Sequence, residues 1–307
     1  MAPTHGIHTI DTGFIRPQFD AAYLIVENGR AAFIDCGTHF AVPRMLAALG
    51  AAGLTPAAVD WLVLTHVHLD HAGGAGELIA QLPNATLLVH PRGARHMIDP
   101  SALWAGASAV YGEAVMKQTY GWLRPIPSRR VVEAPDGHVV DLAGRPLRCI
   151  DTPGHARHHL TVYDAHANVC FTGDVFGLSY REFDTAKGPF ILPTTSPVQF
   201  DPLALHASID RLLALRPAAM YLTHYGRVED LERLAGDLHE QIDAMVALAR
   251  RVDGQPDRHA ALLQALTDLY ARRAEAHGWT QGRTALRELL GMDIELNAQG
   301  LAIWLDH

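Results

Sequence analysis

The chain has 307 residues, of which 49% are hydrophobic and 19% charged, with a formal net charge of −8. This composition excludes an intrinsically disordered polymer, and the 25 Lys and Arg are scattered rather than gathered into a stripe, which disfavours a nucleic-acid partner. No stretch approaches the ~20 consecutive apolar residues that a bilayer span needs, and the first residues lack a charged segment followed by an apolar one, so a cytoplasmic protein with no membrane partner is expected.

The first forty residues read as short strands, GIHTIDTGF, AAYLIVENG and AAFIDCG, separated by Gly, Asn and Asp turn signals. VPRMLAALGAAG has apolar residues at helical spacing and ends in Gly, and TPAAVD leads from it into the β-rich run WLVLTH. GAGELIAQLP then reads as a short helix, ATLLVH as a strand, and about 104–123 as a helix rich in Ala, Met and aromatic residues. RRVVEAP, HVVDLAG, PLRCIDTPGH, HLTVYD and NVCFTGD follow as strands at short intervals, as expected of a second sheet. From Asp201 the pattern turns helical: PLALHASIDRLLAL, VEDLERLAGDLHEQIDAMVALARRV, RHAALLQALTDLYARRAEAH, then TALRELLG with a final apolar segment. One strand, MYLTHYG, interrupts the helices. Two β-rich halves with helices on their outer faces predict a four-layer α/β/β/α arrangement followed by a helical extension from residue 227.

The three cysteines, Cys36, Cys149 and Cys170, lie far apart in apolar strand settings and read as buried small hydrophobes rather than a disulfide or zinc-ribbon set. Among 19 histidines only spacing can separate ligands from bystanders. Thr65-His66-Val67-His68-Leu69-Asp70-His71 places three imidazoles and a carboxylate at the end of an apolar strand, and these are ligand types suited to Zn, Fe and Mn. Residues two apart on an extended segment point the same way, so His66 and His68 can grip one ion while Asp70 and His71, at the following turn, reach another. A lone His-x-His would be read as an ordinary surface loop; the added Asp and His argue against that. Three further strand ends carry His155 in IDTPGH, Asp174 in CFTGD and His224 in MYLTHYG. Singly, each reads as a cap, a turn residue or a partly buried His. His90, His96 and His158 read as surface or core histidines.

His-x-His-x-Asp-His followed by a His, an Asp and a His at strand ends, in that order, resembles the metallo-β-lactamase superfamily in its glyoxalase II-like branch. The likeness covers about residues 6–226 and implies an αββα sandwich domain over 1–226, with 227–307 as a helical C-terminal extension capping the active site. It also implies that His66, His68 and His155 hold one metal, that Asp70, His71 and His224 hold a second, and that Asp174 bridges the two. By the same resemblance Asp35, in FIDCGTH, and His159 lie behind the ligands, with Asp35 orienting the ligand loop. Tyr180, Thr195 and Tyr225 are candidates to bind substrate, and equally candidates for packing.

The implied cofactors are two divalent ions, zinc first, with iron or manganese as alternatives. The implied chemistry is hydrolysis by a metal-activated water, with Asp70 or Asp174 accepting or delivering protons. The best-known zinc β-lactamases have Cys where this chain has Asp174, which points away from antibiotics. The long gap from His71 to His155 and the helical tail are similar to the quinolone-signal-response thioesterase group, so the expected substrate is a small or mid-sized ester, thioester or lactone. An iron-dependent redox enzyme like the persulfide dioxygenases, or a regulatory ligand-binding protein with vestigial hydrolysis, are the alternatives. Apolar stripes on the C-terminal helices allow a homodimer.

Overall fold

Residues 5–195 and 198–307 are described in a computed structural model of the chain. The N-terminal apolar runs form strands β1 (Ile7–Asp11), β2 (Ala21–Glu27), β3 (Arg30–Ile34), β4 (Val59–Val63), β5 (Thr86–Val89) and β6 (Val131–Glu133), paired in that order in one sheet. β1, β2 and β3 are antiparallel, and β3 to β6 are parallel. Asn28 and Gly29 close the β2–β3 hairpin, both at positive φ (45° and 75°), as a two-residue turn matched to strand twist requires. The parallel strands need crossovers, which the helices Val42–Ala51 and Ala75–Gln81 supply.

The second sheet holds β7 (Val139–Leu142), β8 (Arg145–Asp151), β9 (Leu160–Asp164), β10 (Val169–Gly173), β11 (Ala219–Leu222) and β12 (Gly226–Val228), in the order β12-β11-β10-β9-β8-β7. β7 to β10 are antiparallel, and β11 lies parallel to β10. The short β12 was not foreseen in the sequence: it is three residues long and starts at Gly226, directly after the turn at 223–225.

The chain divides into two compact units. The first takes the chain up to Asp151 together with His158–Gly173 and Pro217–Arg227, and contains nearly all of both sheets. Alternation along each strand splits its apolar residues between two cores. Tyr23, Ile25, Ile34 and Val63 of the first sheet share a core with Leu147, Val162, Phe171 and Tyr221 of the second, with Tyr23 5.2 Å from both the Phe171 and Tyr221 rings. Leu24, Phe33, Leu62 and Leu87 face the other way, onto Met45, Leu49, Leu78 and Ile79 of the crossover helices. Helix, sheet and sheet therefore stack as layers within this unit, and Cys36, Cys149 and Cys170 are buried in it as free thiols.

The second unit comprises Thr152–Arg157, Asp174–Arg216 and Val228–His307. Its long helices are Pro202–Leu213, Leu231–Val252, Arg258–His277 and Gly282–Leu305. Gly278, at φ 97°, ends the third of these in the left-handed conformation expected of a helix-terminating glycine. Gly291 keeps a negative φ, so TALRELLG and the apolar segment after it form one continuous helix rather than two elements. The opposite departure occurs at 104–123: Gly112, at φ 85°, breaks that stretch into helices Ser101–Tyr111 and Glu113–Thr119. Among the described residues no helix is long and apolar enough to cross a membrane.

One buried ion pair ties β8 to β9. Arg145 and Asp164 are 1% and 0% exposed; the Arg145 Nε donates to Asp164 Oδ2 at 3.0 Å and its Nη1 to the His5 carbonyl at 2.7 Å. Removing Asp164 leaves the buried Arg145 with the partly exposed Glu27 Oε2, at 3.4 Å, as its carboxylate partner; breaking a buried pair of this kind typically costs about 3–5 kcal/mol. Asp164→Ala is therefore expected to lower the unfolding free energy by about that amount in urea denaturation, and a change under about 1 kcal/mol would contradict this reading of the pair.

Candidate metal centre

β4 runs out at Val63, and the chain bends at Thr65 and reaches an extended His68 before turning into the short helix Leu69–Ala72. The extended part sends His66 and His68 the same way, bringing His66 Nε2 and His68 Nδ1 to 2.9 Å. The helical turn reverses the chain so that Asp70 and His71 meet His224, which follows β11. Asp70 Oδ2 is 3.8 Å from His71 Nε2 and 3.5 Å from His224 Nε2. One ligand atom from each of these three residues lies within 4.8 Å of the other two, a spacing that could hold a metal ion.

The outer nitrogens explain why the inner ones converge. His71 Nδ1 is 2.9 Å from Asp35 Oδ2, and His224 Nδ1 is 2.9 Å from the Phe19 carbonyl oxygen. A carboxylate and a carbonyl only accept, so both Nδ1 atoms carry the hydrogen and both Nε2 lone pairs face Asp70. Asp35 is 2% exposed and also accepts from the Thr65 backbone N–H and hydroxyl, each at 2.8 Å, and from the Thr223 hydroxyl at 3.2 Å. The Thr65 hydroxyl lies 3.2 Å from His66 Nδ1, so Asp35 reaches His66 at one remove.

His159 is fully buried with its ring centroid 5.0 Å from that of His66. Gly173, at φ 50°, closes over it: a β carbon there would come within 2.6 Å of His159 Nε2 and 2.7 Å of the Thr65 hydroxyl. The glycine of CFTGD is thus imposed by His159 and Thr65 under it. His158, read from sequence as a bystander, is buried beside the cluster, its ring stacked 6.2 Å from His66 and edge-on 5.6 Å from His68. His90 has a structural job, its Nδ1 accepting from the Arg92 N–H to cap the helix Pro91–Ile98 and its Nε2 lying 3.1 Å from Asp151. His96 sits half-buried on that helix, and burial, aided by the Arg95 charge, lowers its pKa.

In the second unit His155 and Asp174 are both buried, with His155 Nε2 3.4 Å from Asp174 Oδ2 and His155 Nδ1 turned to the Thr194 carbonyl at 3.4 Å. Two of the substrate candidates lie deep in this unit. Tyr180 is 1% exposed and its hydroxyl donates to Asp293 at 3.1 Å; the Thr195 N–H donates to Asn297 Oδ1 at 2.7 Å. Tyr225, in the first unit, is half-buried against the core between the sheets.

Asp20 is the residue that sequence reasoning missed. It precedes β2, is fully buried, and accepts from the Thr12 hydroxyl at 2.8 Å, while its Oδ1 has no hydrogen-bond partner. Burial pushes its carboxyl up to about 7, and the nearby Asp70 charge adds to that shift. The available signal was an acidic residue directly abutting the wholly apolar AAYLIV.

The sequence pattern described as the metallo-beta-lactamase superfamily matches residues 15–224, and the chain belongs to that superfamily. It is 29% identical over 233 residues to the metallo-beta-lactamase fold-containing protein ST1585 of Sulfurisphaera tokodaii, covering 74% of this chain and 80% of that one. The crystal structure of ST1585 superposes with a TM-score of 0.67 at 25% identity, covering 97% of this chain and 99% of the other. A hydroxyacylglutathione hydrolase of Acidiphilium cryptum is 28% identical over 256 residues, 83% of this chain and 74% of its own. An atrochrysone carboxyl ACP thioesterase of Aspergillus fumigatus is 28% identical over 116 residues, 38% of this chain and 27% of its own.

The raised pKa of Asp20 has a measurable consequence. A carboxyl that ionises near 7 when folded but near 3.8 as a free side chain favours folding at low pH and opposes it progressively as pH rises through 7. In chelator-treated protein, wild type is expected to lose about 2–3 kcal/mol of unfolding free energy relative to Asp20→Asn between pH 5 and pH 8. Urea denaturation at the two pH values checks this, and parallel pH dependence of the two proteins would count against it.

Proposed function

We propose that this chain is a hydrolase that uses two divalent metal ions to cleave a small or mid-sized ester, thioester or lactone. In this reading His66, His68 and His155 would hold one ion and Asp70, His71 and His224 the other, with Asp174 as the carboxylate that would serve both. The observation that carries it is the set of Asp70, His71 and His224, whose imidazoles are aimed by hydrogen bonds on their outer nitrogens. A buried group of neutral imidazole nitrogens and one carboxylate, each imidazole backed by an acceptor, is the donor chemistry of a transition-metal site. Zinc fits this donor set, as do iron and manganese. Two relatives are named as a hydroxyacylglutathione hydrolase and an acyl-carrier-protein thioesterase, which supports acyl transfer to water as the reaction.

Such ions, when bound, supply Lewis acidity and an acidified water. The chain's own part is positional. Asp35 locks His71 and the Thr65 backbone, so the ligand loop needs no rearrangement when substrate arrives. Asp70, whose side chain is 24% exposed, is open enough to take a proton from water and pass it to a leaving group. The Phe19 ring packs at a steep angle against His224, ring centroids 5.5 Å apart, and gives that ligand an apolar neighbour. A net charge of −8 suits a small-molecule substrate better than nucleic acid, and the cytoplasm is the expected compartment.

The test is a screen of ester, thioester, lactone and phosphodiester substrates against wild type and His68→Ala. Hydrolysis of a carbonyl substrate that falls by at least ~100-fold in kcat/KM in the variant is expected. Activity undiminished by His68→Ala, or none on any carbonyl substrate, would overturn the proposal.

A further inference from the structure

The second unit carries a histidine pair that the chemistry above does not use. Helices Pro202–Leu213 and Leu231–Val252 each contain His-x-x-Ile-Asp: His206-Ala207-Ser208-Ile209-Asp210 on one and His239-Glu240-Gln241-Ile242-Asp243 on the other. Ile209 and Ile242 are buried at 1% and 0% exposure, which faces the helices toward the unit's core and leaves each His and Asp, one turn apart, on a shared outer face. The two motifs then pair crosswise. His206 Nε2 lies 3.2 Å from Asp243 Oδ1, and His239 Nε2 lies 3.1 Å from Asp210 Oδ1. A carboxylate only accepts, so both Nε2 atoms carry hydrogen, and in a neutral ring the lone pair is then on Nδ1. Those two Nδ1 atoms are 2.6 Å apart, between rings inclined by only 15°. Two lone pairs so close repel unless a cation lies between them, either a proton shared as an Nδ1–H···Nδ1 hydrogen bond or a metal ion.

We propose that His206 and His239 form a second, surface cation site that takes one divalent transition-metal ion, joining helix Pro202–Leu213 to helix Leu231–Val252. Imidazole is a donor for Zn, Cu and Ni, and a carboxylate on the far nitrogen is the arrangement that makes a ligating imidazole more basic and fixes its direction. Zinc–nitrogen bonds of ~2.0–2.1 Å in tetrahedral geometry separate two ligand nitrogens by about 3.3 Å, so the pair must open by less than ~1 Å. The histidine side chains are 23% and 28% exposed, which permits that movement and lets water fill the remaining positions. Glu240, next to His239, is held by Arg273 at 2.8 Å and does not compete. This site is independent of the proposed hydrolytic centre.

Equilibrium dialysis with Zn²⁺ tests it, using full-length wild type, His206→Gln, His239→Gln and Asp243→Asn, with melting curves in EDTA to confirm that each folds. Wild type is expected to hold about one more zinc per chain than either glutamine variant, and Asp243→Asn to keep that zinc with about 10–100-fold weaker affinity. Should both glutamine variants bind as much zinc as wild type with equal affinity, the site does not exist. If a glutamine variant is unfolded in EDTA, Asp243→Asn and Asp210→Asn decide: unchanged zinc affinity in both overturns the proposal.

Discussion

The carboxylate of Asp35 is the constraint on which the candidate centre of the first unit depends. It follows β3 in a left-handed conformation, φ 55°, which Asp tolerates better than most residues and which turns its side chain back under the neighbouring strand end. From there it receives the Thr65 N–H and hydroxyl, His71 Nδ1 and the Thr223 hydroxyl. Two chain segments that are far apart in sequence, the 65–71 loop and Thr223, are thereby pinned to one buried anion. An anion at 2% exposure is costly unless its acceptor sites are filled, so the same bonds that satisfy Asp35 also give His71 one tautomer and one orientation.

The sandwich makes this possible because of where its strands stop. β3 and β4 are parallel neighbours in the first sheet and end side by side, which sets Asp35 next to Thr65. β11 ends in the second sheet, and the Thr223 carbonyl accepts from the Ala21 N–H, so the two sheets are stitched where the ligands leave them. The shared core of Tyr23, Phe171 and Tyr221 lies behind that seam and holds the distance between sheets. Rigid strands fix the backbone, and hydrogen bonds fix the rings.

Much of this was legible in the sequence for a physical reason: His66, His68, Asp70 and His71 are consecutive on one loop, so spacing alone reports their convergence. His224 could be found only as the last of an ordered set, because a His at the end of one apolar strand reads by itself as a partly buried side chain. What was not legible depended on contacts across the fold. Asp20 looks like any turn acid until β1 and β2 close around it, and His158 looks incidental until it stacks beside His66. Gly112 and Gly291 have the same local look, yet one breaks a helix and the other lies within one; only φ separates them. The crosswise His206 and His239 pair needed two helices, distant in sequence, to be placed face to face.

The central claim is that the aimed imidazoles and carboxylates exist to hold metal. Elemental analysis of His206→Gln protein, purified without chelator and without an affinity-tag metal, tests this most directly, because that variant removes the proposed surface site from the count. About two transition-metal ions per chain are expected. Protein that is folded and carries no transition metal, even after incubation with zinc, iron or manganese, would contradict the account.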